Sequence, residues 1–261
     1  MDIRLKMISN LVRRKAIWIP VTAAIVVLVL LWQTAIIEIM FITRFDGPQE
    51  GNAIGLSFDD GPDWGEEALI STLNDTGIRA TFFWMWEKIE LLRSEDNERF
   101  ERILRLIEDG GHEVAIHGYF CRGSQNPVSR FFILHEQENI GDLKTRYYEL
   151  FGKEPQLYRS HGPRAGRQFY NSLKNSGLEL AFGSLTYQIS ITAPIDIFVE
   201  YFQSAEPGTI ICAHDSRNCA TDYGLAKQIA QIVPELGEIA RNRKLDVVTI
   251  SELLRVSKML D

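Results

Sequence analysis

From residue 53 onward, short apolar runs alternate with longer amphipathic segments. The runs at 53–58, 79–84, 112–117, 156–159, 178–182, 209–213 and 246–249 predict strands. The segments at 66–75, 86–109, 128–151, 167–176, 196–203, 222–243 and 251–260 predict helices. In the second of these, Ile89, Leu92, Phe100, Ile103, Leu104 and Ile107 fall near helical spacing, and Gly110-Gly111 closes it as a C-cap would. Regular strand–helix alternation predicts a parallel sheet wrapped by helices. Seven or eight such units over roughly 210 residues fit an irregular (β/α)7–8 barrel, and a doubly wound open sheet is the alternative.

The pattern is different before residue 53. Residues 16–37 contain no charged side chain and are dense in Ile, Val, Leu and Trp. That is about the 20 residues a helix needs to cross a bilayer core. Trp18 and Trp32 lie toward its two ends, and Arg4, Lys6, Arg13, Arg14 and Lys15 precede it. The positive-inside rule then places the N-terminus in the cytoplasm and the remainder outside. No small-x-small cleavage pattern follows, which favours an uncleaved anchor over a removed signal peptide. The expected organisation is a basic cytoplasmic segment 1–15, one transmembrane helix 16–37, a polar linker 38–52 and an extracytoplasmic α/β domain 53–261. A net charge of −7 argues against a nucleic-acid partner, and oligomeric state is not encoded in any pattern here.

Candidate chemistry gathers where predicted strands end. Asp59 and Asp60 close the first run and are followed by Gly61-Pro62. Neighbouring strand residues point to opposite faces, so two acids reach one place only if the strand end breaks. Paired acids on an apolar approach need a cation between or beside them. The bland alternative is a solvated Asp-Asp-Gly-Pro turn. His117, Arg159 and His214 also fall at or just past strand C-termini, where α/β folds build their sites. His112, in a Gly-His-Glu turn, and His135, in a helical stretch, read as structural.

Five segments occur in a recognisable order: Asp59-Asp60-Gly61-Pro62, Gly111-His112-Glu113 with His117, Tyr158-Arg159-Ser160-His161-Gly162, Leu178–Phe182, and Thr209–Ala213 ending in His214-Asp215. Together they resemble the polysaccharide deacetylase family, also called the NodB-homology or carbohydrate esterase family 4 domain, over roughly residues 50–255. The resemblance implies a metal-dependent hydrolase that removes acetyl groups from the N-acetylated sugars of a chitin- or peptidoglycan-like glycan. It implies Asp60 and His117 as ligands of a divalent metal, most readily Zn, with a water on that metal as nucleophile. It implies Asp59 as general base, Arg159 as the cation that holds Asp59 ionised, and His214 as general acid. His161 and Tyr187 would line the substrate groove.

The chain also departs from the family pattern. Where a second metal-binding histidine is expected, it has Cys121. A thiolate is a competent Zn ligand, so Asp60, His117 and Cys121 can form an open three-ligand site. His161 supplying the nitrogen, a site without metal, and a disulfide from Cys121 to Cys212 or Cys219 are the other readings. Cys212 and Cys219 flank the His-Asp strand end and are a further candidate pair. The Asp expected after the fourth motif strand, to orient His214, is missing from Gly183-Ser184-Leu185-Thr186-Tyr187. Asp196 and Asp222 are substitutes. These departures motivate a second reading, a weak or inactive relative that binds a glycan or a partner protein. A third keeps the enzyme and moves it to small amides.

Overall fold

The computed structural model describes residues 20–28, 46–49, 51–118, 139–160, 167–183, 185–186, 195–214 and 224–260. The strands are β1 (Ala53–Gly61), β2 (Thr81–Trp84), β3 (Glu113–Ile116), β4 (Leu157–Tyr158), β5 (Glu179–Leu180), β6 (Leu185–Thr186), β7 (Ile210–His214) and β8 (Asp246–Val248). The helices are α1 (Glu66–Thr76), α2 (Trp86–Glu95), α3 (Asn97–Gly110), α4 (Ile140–Phe151), α5 (Arg167–Asn175), α6 (Asp196–Ser204), α7 (Leu225–Arg243) and α8 (Ile250–Leu260).

All named strand pairs are parallel, in the order β5-β4-β3-β2-β1-β7-β6. On one edge β1 is shared, with β8 beside Ala53–Gly55 and β2 beside Ser57–Gly61. The order itself requires curvature. Flat, six steps of about 4.8 Å would separate β5 from β6 by about 29 Å. Only residues 181–184 join them, a reach of at most about 18 Å. The sheet is therefore curled, and the chain itself closes the gap across which β5 and β6 do not pair. Gly183 sits at that closure, where a Cβ would lie 2.6 Å from Cys212 Cβ. The expected irregular barrel is met as this curled parallel sheet, and a flat doubly wound sheet is excluded.

Strand alternation sorts the core into two parts. Ile54, Leu56 and Phe58 of β1, Phe82 and Trp84 of β2, and Ile211 and Ala213 of β7 face the helices and join the larger cluster. Phe83, Ala115, Leu157, Ala181 and Ile210 face inward and meet Ile250, Leu253 and Leu254 of α8, which closes the N-terminal end of the sheet. Glu113 secures that closure. Its carboxylate accepts from the backbone N–H of Ser251 at 3.2 Å and from Thr81 Oγ1 at 2.8 Å, satisfying a donor at the start of α8.

Several boundaries differ from expectation. The helix expected over 86–109 is two helices, because Asp96 leaves helical geometry and its side chain caps α3 by accepting from Arg99 N–H at 3.0 Å. Of the helix expected over 128–151, Ile140–Phe151 is helical and Asn139, which is extended, caps its start; residues 128–138 lie outside the described residues. β6, two residues long, carries too little sequence to announce itself. His112 is structural as expected. Its Nδ1 accepts the Ala80 N–H at 3.1 Å, so Nε2 carries the proton and donates to Asn74 Oδ1 at 2.7 Å. Burial lowers its pKa to about 4, so the ring is neutral near pH 7.

Of the segment expected to span a membrane, residues 20–28 are described, and they are helical and exposed. Among the described residues no helix is long and apolar enough to cross a membrane.

Candidate active site

The two acids reach one place because β1 breaks between them. Asp59 pairs with Phe83 of β2 and Gly61 with Trp84, so the register shifts at Asp60, which forms a bulge. Its φ of +73° is left-handed, a conformation an Asp tolerates better than most side chains. This is the broken strand end that two converging carboxylates require. The turn that follows is fixed from below. Trp84 Nε1 donates to Glu66 Oε1 at 3.0 Å, and a Cβ on Gly61 would stand 2.1 Å from that same oxygen. Asp63 and Lys88, both buried, approach to 3.9 Å beyond it.

Asp59 is 3% exposed and Arg159 1%. Arg159 Nη1 donates to Asp59 Oδ1 at 2.6 Å and to Ser57 Oγ at 2.8 Å, and Nε donates to the Ala181 carbonyl at 2.9 Å. The guanidinium carbon lies 3.8 Å from the centre of the Phe83 ring, a stacked arrangement for which Arg is suited and Lys is not. Burial pushes the Asp59 carboxyl upward, but Arg159, then His117 and His214, outweigh it and hold the group below its ordinary value. Asp59 is thus a buried, ionised carboxylate.

His117 is 2% exposed and follows the end of β3. Its Nδ1 lies 2.8 Å from the Arg159 carbonyl oxygen. A carbonyl only accepts, so Nδ1 carries the proton and Nε2 faces Asp60 Oδ1 at 3.3 Å. Burial disfavours protonation of this ring, and the charges of Asp59 and Asp60 outweigh burial and raise its pKa. His214 ends β7 directly beside Asp59 in the parallel register and is half-buried.

Two further groups join the site that the motifs do not announce. Ser57 donates to the Ile211 carbonyl at 2.9 Å while accepting from Arg159. Cys212 Sγ lies 3.3 Å from Asp59 Oδ2 and 3.4 Å from Arg159 Nη1. Ser57 and Asp59 on β1 stand in register with Cys212 and His214 on β7. Period-two spacing of polar residues in otherwise apolar strands is the signal that could have revealed them. Cys212 is a free thiol, so its suggested pairing with Cys219 or Cys121 is overturned: the sulfur is engaged inside the sheet. Cys121, His161, Tyr187, Asp222, His135 and Cys219 lie outside the described residues. Asp196 is exposed in the first turn of α6.

The donors fit a cation in part. Asp60 Oδ1 and His117 Nε2 stand 3.3 Å apart, a carboxylate and an imidazole of the donor types that Zn takes, and the two would hold such a cation between them. With the proton on Nδ1, the Nε2 lone pair is on the Asp60 side of the ring and can ligate a cation, with the Arg159 carbonyl as the outer partner such histidines normally have. Among the described residues no cluster of three His, Cys, Asp or Glu side chains stands ready to hold a metal, so the third ligand would come from elsewhere.

An ionised carboxylate, a carboxylate–histidine pair and a histidine lie together at the C-terminal ends of a curled parallel sheet, where α/β folds build their sites. The family model for polysaccharide deacetylase matches residues 46–181, more than half of the chain. A peptidoglycan-N-acetylglucosamine deacetylase of Bacillus cereus is 25% identical over 212 residues, covering 80% of this chain and 91% of that one. A crystal structure of a peptidoglycan N-acetylglucosamine deacetylase superposes with a TM-score of 0.61 at 20% identity, covering 82% of this chain and 93% of that one. A carbohydrate esterase family 4 pseudoenzyme from Bacillus anthracis has the same fold, with a TM-score of 0.60 at 15% identity, covering 81% of this chain and 68% of that one. The chain belongs to the polysaccharide deacetylase family, hydrolases of carbon–nitrogen bonds in N-acetylated glycans.

Proposed function

We propose that this protein is a metal-dependent deacetylase of a peptidoglycan- or chitin-like glycan, held at the outer side of a membrane by residues 16–37. The observation that carries the reading is the pairing of Asp60 with His117 at 3.3 Å beside a buried, ionised Asp59. Its relationship to the Bacillus cereus enzyme supports the glycan class. The charge-free run 16–37 and its basic flank support the anchor.

Asp60 and His117 would hold the cation, with Cys121 or His161 completing the set. A divalent cation there would lower the pKa of a water and polarise the acyl carbonyl. Asp59 takes the proton of the attacking water. Arg159 keeps that carboxylate charged and anchors one of its oxygens, Oδ1, through the bond from Nη1. His214, one strand away from Asp59, delivers a proton to the departing sugar nitrogen. His161 and Tyr187 would contact the sugar. The test is acetate release from N-acetylated chitooligosaccharides and peptidoglycan fragments by the Zn-supplemented protein, with an Asp59→Asn variant as control.

A second reading is a glycan-binding relative with little turnover. Cys121 in place of a histidine and the missing orienting Asp favour it. It predicts glycan binding without acetate release, unaffected by Asp60→Ala.

A further inference from the structure

Asp59 has two carboxylate oxygens, and the deacetylase mechanism accounts for one neighbour. Oδ1 accepts the charge-assisted bond from Arg159 Nη1 at 2.6 Å. A single bond on one oxygen leaves the carboxylate free to rotate about its Cβ–Cγ axis, a soft torsion for Asp. On the other oxygen, Cys212 Sγ lies 3.3 Å from Oδ2. Burial first, and the charge of Asp59 second, push the Cys212 thiol well above its ordinary pKa. It is therefore a protonated donor facing an anion. The sulfur in turn accepts from Arg159 Nη1 at 3.4 Å, which closes a three-membered arrangement of Arg159, Asp59 and Cys212.

We propose that Cys212 is a positioning residue for Asp59, its S–H fixing the plane of the carboxylate by engaging Oδ2 while Arg159 engages Oδ1. The inference rests on the reading of Asp59 as general base. A thiol suits the task because it is a weak donor. It sets the orientation of Oδ2 and withdraws little of the electron density that oxygen needs to accept a proton. A purely space-filling cysteine would make neither polar contact. The parallel register places the thiol there: Cys212 stands beside Ser57, whose hydroxyl also accepts from Arg159, and His214 stands beside Asp59.

The test uses the full chain. Infrared difference spectra of wild type against Cys212→Ala isolate the S–H stretching band of Cys212, and the band is then read in Asp59→Asn. The expected result is a band at low frequency in wild type that rises when the carboxylate is replaced. The same frequency in both proteins overturns the inference, whether or not the protein is active. Kinetics read the consequence through Cys212→Thr and Cys212→Val, which share one shape and differ in a single donor. The Val variant should lose about tenfold in kcat relative to the Thr variant, with KM for the glycan, metal content and Tm alike in the pair. Equal kcat values overturn the positioning role. A wild type that shows the band shift and releases no acetate overturns the deacetylase reading instead and leaves the Cys212–Asp59 contact supported.

Discussion

His117 rests its Nδ1–H on the backbone carbonyl of Arg159, 2.8 Å away, while the side chain of Arg159 turns inward to Asp59. One residue at the end of β4 therefore sets the tautomer of a candidate ligand and the charge state of a candidate base. The two tasks use different atoms, so substitution of the side chain separates them. Arg159→Met keeps the carbonyl and removes the cation, leaving a buried carboxylate without its partner. Loss of one member of a buried pair costs about 3–5 kcal/mol. Urea unfolding should show a fall of that size. Arg159→Lys should recover part of the stability but not the contact from Nε to the Ala181 carbonyl, and kcat should remain depressed.

Metal occupancy follows from the Asp60–His117 pair. The full-length protein supplemented with Zn should bind about one equivalent. Asp60→Ala and His117→Ala should each abolish stoichiometric binding, measured by elemental analysis after gel filtration. Retention of a full equivalent in either variant would contradict the ligand assignment.

Gly61 is tested by its smallest possible change. A Cβ there would stand 2.1 Å from Glu66 Oε1 and 2.7 Å from Trp84 Cδ1, and both of those side chains are buried. Overpacking of this kind costs about 1–3 kcal/mol. Gly61→Ala should lower Tm accordingly. It should also weaken metal binding, because Asp60 is the adjacent residue on the bulge.

The pH dependence of stability carries the signature of His112. Its folded pKa is about 4, against an ordinary value of 6.5. The unfolded chain therefore takes up a proton that the folded chain refuses between those values, and stability falls as pH falls through that window. The full effect is about 3 kcal/mol, present above pH 6.5 and lost by about pH 4. Unfolding free energies at pH 7.5 and 4.5 should differ by less in His112→Gln than in wild type.

Strand–helix alternation exposed the parallel sheet, and the placement of Asp59, Asp60, His117, Arg159 and His214 at strand ends marked out the candidate site that the fold brings together. Both were legible because period two and period 3.6 leave distinct marks on a sequence. What stayed hidden depends on tertiary register. Ser57 and Cys212 look like ordinary strand residues until β1 and β7 pair. The break at Asp96 was masked because Phe100, Ile103 and Ile107 continue the apolar stripe of α2 across a non-helical residue. β6 is two residues long, too short for any periodicity. The bulge at Asp60 was foreseen only as a requirement of two converging acids, with Gly61-Pro62 as its local sign.

The most direct test of the account is acetate release from N-acetylated chitooligosaccharides and peptidoglycan fragments by the Zn-loaded protein beside Asp59→Asn. The account predicts turnover in the wild type and a loss of about 10²- to 10⁴-fold in the variant, with Zn content and Tm preserved. No release by a wild type carrying its full equivalent of metal, or undiminished release by Asp59→Asn, would contradict it.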